Sequence, residues 1–214
     1  MFISFEGIDG SGKSTQARLL AEALRAEGHE VVLTREPGGS AGAEDIRRLL
    51  VEGPPDRWSP ETELLLFTAA RRDHLERLIR PALDRGAWVV SDRFADSTRV
   101  YQGAARGDDP AEQARFAELV EVLHRLVIGV EPDRTLVIDL DPAEALARAT
   151  GRAEGQATPQ AEDRYESMGL GFQQRLRAGF RDLARRHPAR VQLIDGRGDA
   201  GVVAARVREA LAAP

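Results

Sequence analysis

Residues 2–15 read FISFEGIDGSGKST: an apolar run, three glycines, then Lys-Ser at the head of a helical stretch. No other part of the chain restricts its fold so tightly. Gly7, Gly12, Lys13 and Ser14 match G-x-x-x-x-G-K-[ST], a loop that needs a buried strand to deliver it and a helix to begin at its end. The glycines let backbone N–H groups curl around a phosphate, and the helix N-terminus adds its partial positive charge. FISFE is therefore read as a buried strand and 13–27 as a helix, with Leu19, Leu20, Ala23 and Leu24 on one face. The loop itself comprises Gly7, Ile8, Asp9, Gly10, Ser11, Gly12, Lys13, Ser14 and Thr15. Within it Lys13 reaches the outer phosphate oxygens and the Ser14 hydroxyl holds Mg²⁺. Lys13 is also the only lysine in a chain with 30 lysines and arginines. A compact ammonium suits the phosphate cradle, whereas a planar guanidinium does not.

The rest of the chain repeats the same grammar. EVVLTRE, AWVVSD, RTLVID and RVQLID are apolar and β-rich. Helical spacing falls at 44–51, 61–84, 111–126, from Pro142 onward, at 163–186 and at 200–211. Alternating strands and helices imply right-handed crossovers and an α/β fold, with a five-stranded parallel sheet covered on both faces. The length of 214 residues fits a single domain spanning 1–214. One excursion, ATGRAEGQATPQAED at 149–163, is small and polar. It is read either as a surface loop or as a lid over a site.

Two acids stand out. An acid inside a phosphate loop repels phosphate, so Asp9 is expected to point elsewhere: to a hydroxyl of a second substrate, to a metal-bound water, or to solvent. Asp92 ends the strand AWVVSD, where parallel sheets place ligands. There it either holds Mg²⁺ through water or makes a structural ion pair, and Arg93 beside it is placed to clamp a phosphate.

Composition excludes several classes. A net charge of -5 is unsuited to coating nucleic acid. Without cysteine there is no disulfide, thiolate metal site or catalytic thiol. No apolar run approaches the ~20 residues of a membrane span, and no basic leader precedes the first strand, so the expected location is cytoplasmic. The chain has no asparagine, and its one lysine is already placed, so it cannot carry the Asn-Lys-x-Asp guanine reader of switch GTPases. A phosphoryl-transferring kinase remains, and it needs an acceptor site, cations for the transition state and a means to exclude water.

The blocks FEGIDGSGKSTQ, TREPGGS, LLLFTAARRDHL, SDRFADSTRVYQG and DRYES, in this order, resemble the thymidylate kinase family. The resemblance implies the P-loop nucleoside-monophosphate-kinase fold with a short lid, and usually a homodimer. It also implies ATP and dTMP as substrates, Mg²⁺ as cofactor, and phosphorylation of dTMP to dTDP. By the same resemblance Asp9 falls near the acceptor's sugar hydroxyl, Phe67 on the aromatic that stacks on thymine, and Arg71 on the arginine that reads a thymine carbonyl. Phe67 and Arg71 are four apart and share a helical face. Arg93 and Arg47 fall on cations near the acceptor phosphate, with Arg48 adjacent to the latter. Thr98, Tyr101 and Gln102 line base and sugar, and the Tyr101 ring disfavours a ribose hydroxyl. The loop contains no arginine, which resembles the bacterial type that carries its catalytic cation in the lid. Arg148 and Arg152 are the candidates, with Arg164 and Glu166 at the far hinge. A related kinase with another acceptor, or a regulatory ATP-binding module, are the alternative readings.

Overall fold

The computed structural model describes residues 1–54, 56–104, 109–153 and 169–212. Five parallel strands, β1 (Phe2–Glu6), β2 (Val31–Arg35), β3 (Trp88–Asp92), β4 (Arg134–Asp139) and β5 (Val191–Asp195), lie in the order β2-β3-β1-β4-β5. The phosphate-loop strand is thus central. Its neighbours are set in register, with Ser4 beside Ser91 on β3 and Thr135 on β4.

Side chains alternate across β1. Ile3 and Phe5 pack against Ala17, Leu20 and Leu24 of α1 (Lys13–Ala26) and Val203 and Val207 of α9 (Ala200–Ala212). Phe2 packs on the opposite face with Leu75, Ile79, Phe94 and Ile128. The inner strands β1, β3 and β4 are covered on both faces and read as largely apolar runs, whereas the edge strands β2 and β5 are partly exposed.

Helix α2 (Ala41–Val51) begins three residues before the expected 44. Ser40 starts it in extended geometry, and its hydroxyl donates to Asp73 at 2.7 Å. The stretch 61–84, expected as one helix, is divided. It comprises α3 (Pro60–His74), a π-helical turn (Leu75–Ile79) and α4 (Arg80–Asp84). The Arg80 N–H reaches back five residues to the Leu75 carbonyl just before Pro81, which has no N–H to contribute. A short helix, α5 (Ala95–Thr98), runs into a π-helical segment (Arg99–Ala104). Helix α6 (Pro110–Leu123) likewise ends in a π-helical turn (His124–Ile128), stopped by Gly129 at φ 63°. Helix α7 (Pro142–Ala153) follows β4, and α8 (Gly169–Arg186) precedes β5. The expected lid from 154 onward, with Arg164 and Glu166, lies outside the described residues. Among the described residues no helix is long and apolar enough to cross a membrane.

Candidate active site

The phosphate loop leaves β1 at the carboxyl edge of the sheet and packs against β4 and α7. Gly7 and Gly10 are required by these contacts. A Cβ on Gly7 would sit 2.7 Å from the Ile138 carbonyl oxygen, and one on Gly10 would sit 2.0 Å from that of Ala145. Both residues have positive φ, 136° and 79°. On one side the loop borders a cleft lined by Gly10, Gly12, Thr15, Arg148, Gly196 and Gly198. Arg148 is anchored there by Glu144 at 2.6 Å and by the Gly196 carbonyl at 3.4 Å. Arg152 lies on the last turn of α7, and its side chain is outside what the structure describes.

Ser14 is exposed at the start of α1. Asp92 Oδ1 is buried with no hydrogen-bond partner among the described residues. A buried carboxylate oxygen without a protein donor is costly unless water or a cation satisfies it. A hydroxyl and one such carboxylate fit Mg²⁺, which keeps most of its waters and shares substrate phosphates rather than filling an all-protein cage. Among the described residues no group of three or more acids or histidines gathers that would form such a cage.

On the other side of the loop lies a second cleft, enclosing about 650 Å³ of space open to solvent. Its walls bring together Asp9 and all seven residues expected on the acceptor side: Arg47, Phe67, Arg71, Arg93, Thr98, Tyr101 and Gln102. Asp9 belongs to the lining of this cleft. Its Oδ1 accepts from Lys13 Nζ at 3.1 Å and from Arg93 Nη2, and its Oδ2 lies 3.4 Å from the Tyr101 hydroxyl. Burial raises its pKa, but the two cations outweigh burial and hold it below the usual aspartate value. Asp9 thus joins the phosphate-loop lysine to an arginine of this cleft.

Arg93 is the only non-glycine residue with positive φ (72°) among the described residues. This strained conformation is fixed from both sides: its N–H donates to the Phe5 carbonyl at 2.9 Å, and the Ser91 hydroxyl donates to its carbonyl at 2.7 Å. The guanidinium then reaches the Ser97 hydroxyl and the Tyr101 hydroxyl, each at 3.0 Å, and the Gly7 carbonyl at 3.3 Å. It also stacks 4.9 Å from the Tyr101 ring centre.

At the far end, Phe67 is half-buried on the cleft wall and belongs to none of the core clusters. Arg71 is buried. Its Nε donates to Glu36 at 2.7 Å, and its Nη2 to the Phe94 carbonyl at 3.1 Å and to Thr98 Oγ1 at 3.0 Å. Gln102 donates to Glu63 at 3.2 Å. Arg47 reaches the Pro37 carbonyl at the cleft edge, at 2.6 Å, while Arg48 is 61% exposed and pairs with Asp45. The rotation of α2 therefore selects Arg47.

The sequence reading missed several residues that support this arrangement. Glu6, fully buried, accepts from the Phe94 N–H at 2.8 Å and from the Ser97 hydroxyl. Burial, reinforced by nearby Asp96, pushes its pKa up to about 7. Asp96 is itself held bidentately by Arg190 at 2.6 and 3.0 Å and by Arg99 at 2.9 Å. These contacts fasten α5, which carries Ser97 and Thr98, and the π-helical segment after it, which carries Tyr101, to the sheet. An acid in an apolar strand was the only sequence signal for Glu6.

A family model described as thymidylate kinase matches residues 5–207. A thymidylate kinase of Ruegeria pomeroyi is 62% identical over 209 residues, covering 98% of this chain and 93% of the relative. That of Dinoroseobacter shibae is 66% identical over 205 residues, covering 96% and 93%. Among solved structures, the thymidylate kinase from Ehrlichia chaffeensis superposes with a TM-score of 0.74 at 39% identity, over 99% of this chain and 97% of that one.

Proposed function

Because the chain belongs to the thymidylate kinase family and phosphorylates dTMP to dTDP, we propose that its two clefts hold ATP and dTMP end to end across the phosphate loop. The observation that carries this reading is the Lys13–Asp9–Arg93 cluster, which ties the phosphate-loop lysine to an arginine of the second cleft. ATP lies with its phosphates against the loop N–H groups and Lys13, in the cleft that Arg148 borders. Ser14 and Asp92 would hold Mg²⁺, which when bound would neutralise charge on the donor phosphates.

In the acceptor cleft thymine stacks on Phe67, and Arg71 donates to one of its carbonyls. Thr98 and Gln102 border the base. The Tyr101 ring, fixed edge-on by Phe172 and Phe180, lies under the sugar and disfavours a ribose hydroxyl. Asp9 accepts from the sugar hydroxyl. Arg47 and Arg93 take the acceptor phosphate.

No general base is needed, because a phosphate monoester with a second pKa near ~6 is already anionic at neutral pH. Catalysis is alignment of the two phosphates plus charge stabilisation by Lys13, Arg93 and a cation from the lid region, Arg148 or Arg152. The segment 149–163 closes over the site and excludes water.

Leu126, in the π-helical turn after α6, is 73% exposed, and we assign the stretch Ala114 to Val127 that contains it to a homodimer contact. The reading puts the enzyme's work in the cytoplasm, with its nucleotide substrates.

Coupled ADP release from the purified protein with ATP, Mg²⁺ and dTMP tests the reading. Turnover should require all three and should stop on chelation. An Arg71→Ala variant should raise the Michaelis constant for dTMP and leave that for ATP in place. The reverse pattern would reject the cleft assignment.

A further inference from the structure

His74 lies on α3 one turn after Arg71 and is fully buried. Its ring does not simply fill space. Nδ1 lies 3.0 Å from Glu36 Oε1, and Nε2 lies 2.8 Å from the Thr34 hydroxyl. A carboxylate only accepts, so Nδ1 carries a proton, and in the neutral ring Nε2 accepts from Thr34. The other oxygen of Glu36 takes Arg71 Nε at 2.7 Å. Thr34, His74, Glu36 and Arg71 therefore form one chain of hydrogen bonds from the end of β2 to the acceptor cleft.

Two further observations give the chain a purpose. With Nε on Glu36 and Nη2 on Phe94 and Thr98, Arg71 Nη1 is left without a partner among the described residues, and Arg71 lines the acceptor cleft. The EPGGS loop is also shaped around the imidazole. A Cβ on Gly39, at φ 91°, would lie 2.4 Å from His74 Nε2 and 2.5 Å from Thr34 Oγ1. The backbone passes so close that only glycine leaves the ring its place.

We infer that His74 is a positioning residue for acceptor recognition: by fixing the Glu36 carboxylate it orients Arg71, so that Nη1 is presented to the base. This rests on the reading of Arg71 as the residue that donates to a thymine carbonyl. Without the imidazole, Glu36 keeps Arg71 as a partner but loses the contact that sets its rotamer. Arg71 then gives up alignment rather than charge. The loss is felt in binding of the acceptor and in discrimination between bases, and not in the donor site.

The test uses the full-length enzyme carrying His74→Ala, His74→Asn, Arg71→Ala, or His74→Ala with Arg71→Ala. Steady-state kinetics are measured with ATP and either dTMP or dCMP, which presents an amino group where thymine has a carbonyl. His74→Ala should raise the dTMP Michaelis constant about 10-fold, with kcat and the ATP constant within about twofold, as for a lost ground-state contact. Preference for dTMP over dCMP should fall by a similar factor. His74→Asn, whose amide can still donate to Glu36, should recover most of the loss. In the Arg71→Ala background, His74→Ala should add nothing.

The inference is overturned if His74→Ala lowers thermal stability alone, if both substrate constants shift together, or if the two substitutions act independently. Should His74→Ala fail to fold, Thr34→Val removes the contact on the far side of the ring and is held to the same pattern. If Arg71→Ala itself leaves the dTMP constant unchanged, the base-site reading fails and this role with it. If only the His74 variants are silent, the base site stands and the positioning role falls.

Discussion

Alanine at position 10 should damage the phosphate loop in two separable ways. Gly10 has φ 79°, where an L-residue costs about 1–2 kcal/mol. The added Cβ would also stand 2.0 Å from the Ala145 carbonyl oxygen and 2.7 Å from its carbon, distances that side chains do not tolerate. Both atoms belong to the α7 backbone, so either the loop or the helix must move by about 1 Å. Forcing atoms into a packed site costs about 1–3 kcal/mol. The unliganded Gly10→Ala protein should therefore lose about 2–5 kcal/mol of stability. Gly12→Ala is the internal control. Its φ is 98°, yet nothing lies within 4 Å of where its Cβ would stand, so it should lose only the backbone contribution of about 1–2 kcal/mol. Urea unfolding of both variants measures the difference, and the smaller unfolded-state entropy of alanine cancels between them. ATP turnover should fall with Gly10→Ala as α7 is displaced from the donor cleft. Equal stability of the two variants would refute the claim that the loop is shaped against α7. The same contact bars an arginine at position 10 while α7 keeps its place, which fits a catalytic cation supplied from elsewhere.

Other consequences can be measured directly. Burial, with Asp96 adding to it, raises Glu6 from 4.5 to about 7, so the folded protein holds this proton more tightly than the unfolded chain. That contribution, about 3 kcal/mol at most, is fully present below pH 4.5 and is lost as pH rises through about 7. Glu6→Gln should flatten the stability profile across this window in urea titrations, and an unchanged slope would contradict the burial argument. Arg47→Ala should raise the dTMP Michaelis constant about 10-fold or more while Arg48→Ala leaves it unchanged; equal effects would mean that the rotation of α2 does not select between them. Tyr101→Phe keeps the ring and loses the hydroxyl that Arg93 holds at 3.0 Å. Preference for deoxyribose should survive while kcat falls about 5–10-fold; loss of the preference would move the sugar filter from ring to hydroxyl.

The sheet was legible because its inner strands are buried on both faces, so that local hydrophobicity marks them. The phosphate loop was legible because its spacing is imposed by the phosphates. Element boundaries failed where a tertiary contact or a proline intervenes. Ser40 starts α2 through Asp73, and Pro81 follows the π turn at Leu75. In the acceptor cleft the residues facing open space were found, and those behind them were not. Glu36 is 35 residues from Arg71 and 38 from His74, Glu6 is 88 from Phe94, and Asp96 is 94 from Arg190. Such partners leave no periodic trace, and each residue by itself reads as an acid or histidine without a task. Asp9 lay between these cases. Repulsion by phosphate said that it must turn away, and the fold supplied Lys13 and Arg93 as its partners.

The proposal that the cleft under Phe67 and Arg71 selects the acceptor is addressed most directly by one experiment. ADP release would be compared across dTMP, dUMP, ribose TMP, dCMP, thymidine and no acceptor, with ATP and Mg²⁺ held constant. The expected result is strong stimulation by dTMP, with ribose TMP and dCMP poor and thymidine inactive for want of a phosphate. Equal stimulation by dTMP and dCMP would contradict the base site at Arg71, and equal stimulation by dTMP and its ribose form would contradict the sugar filter at Tyr101.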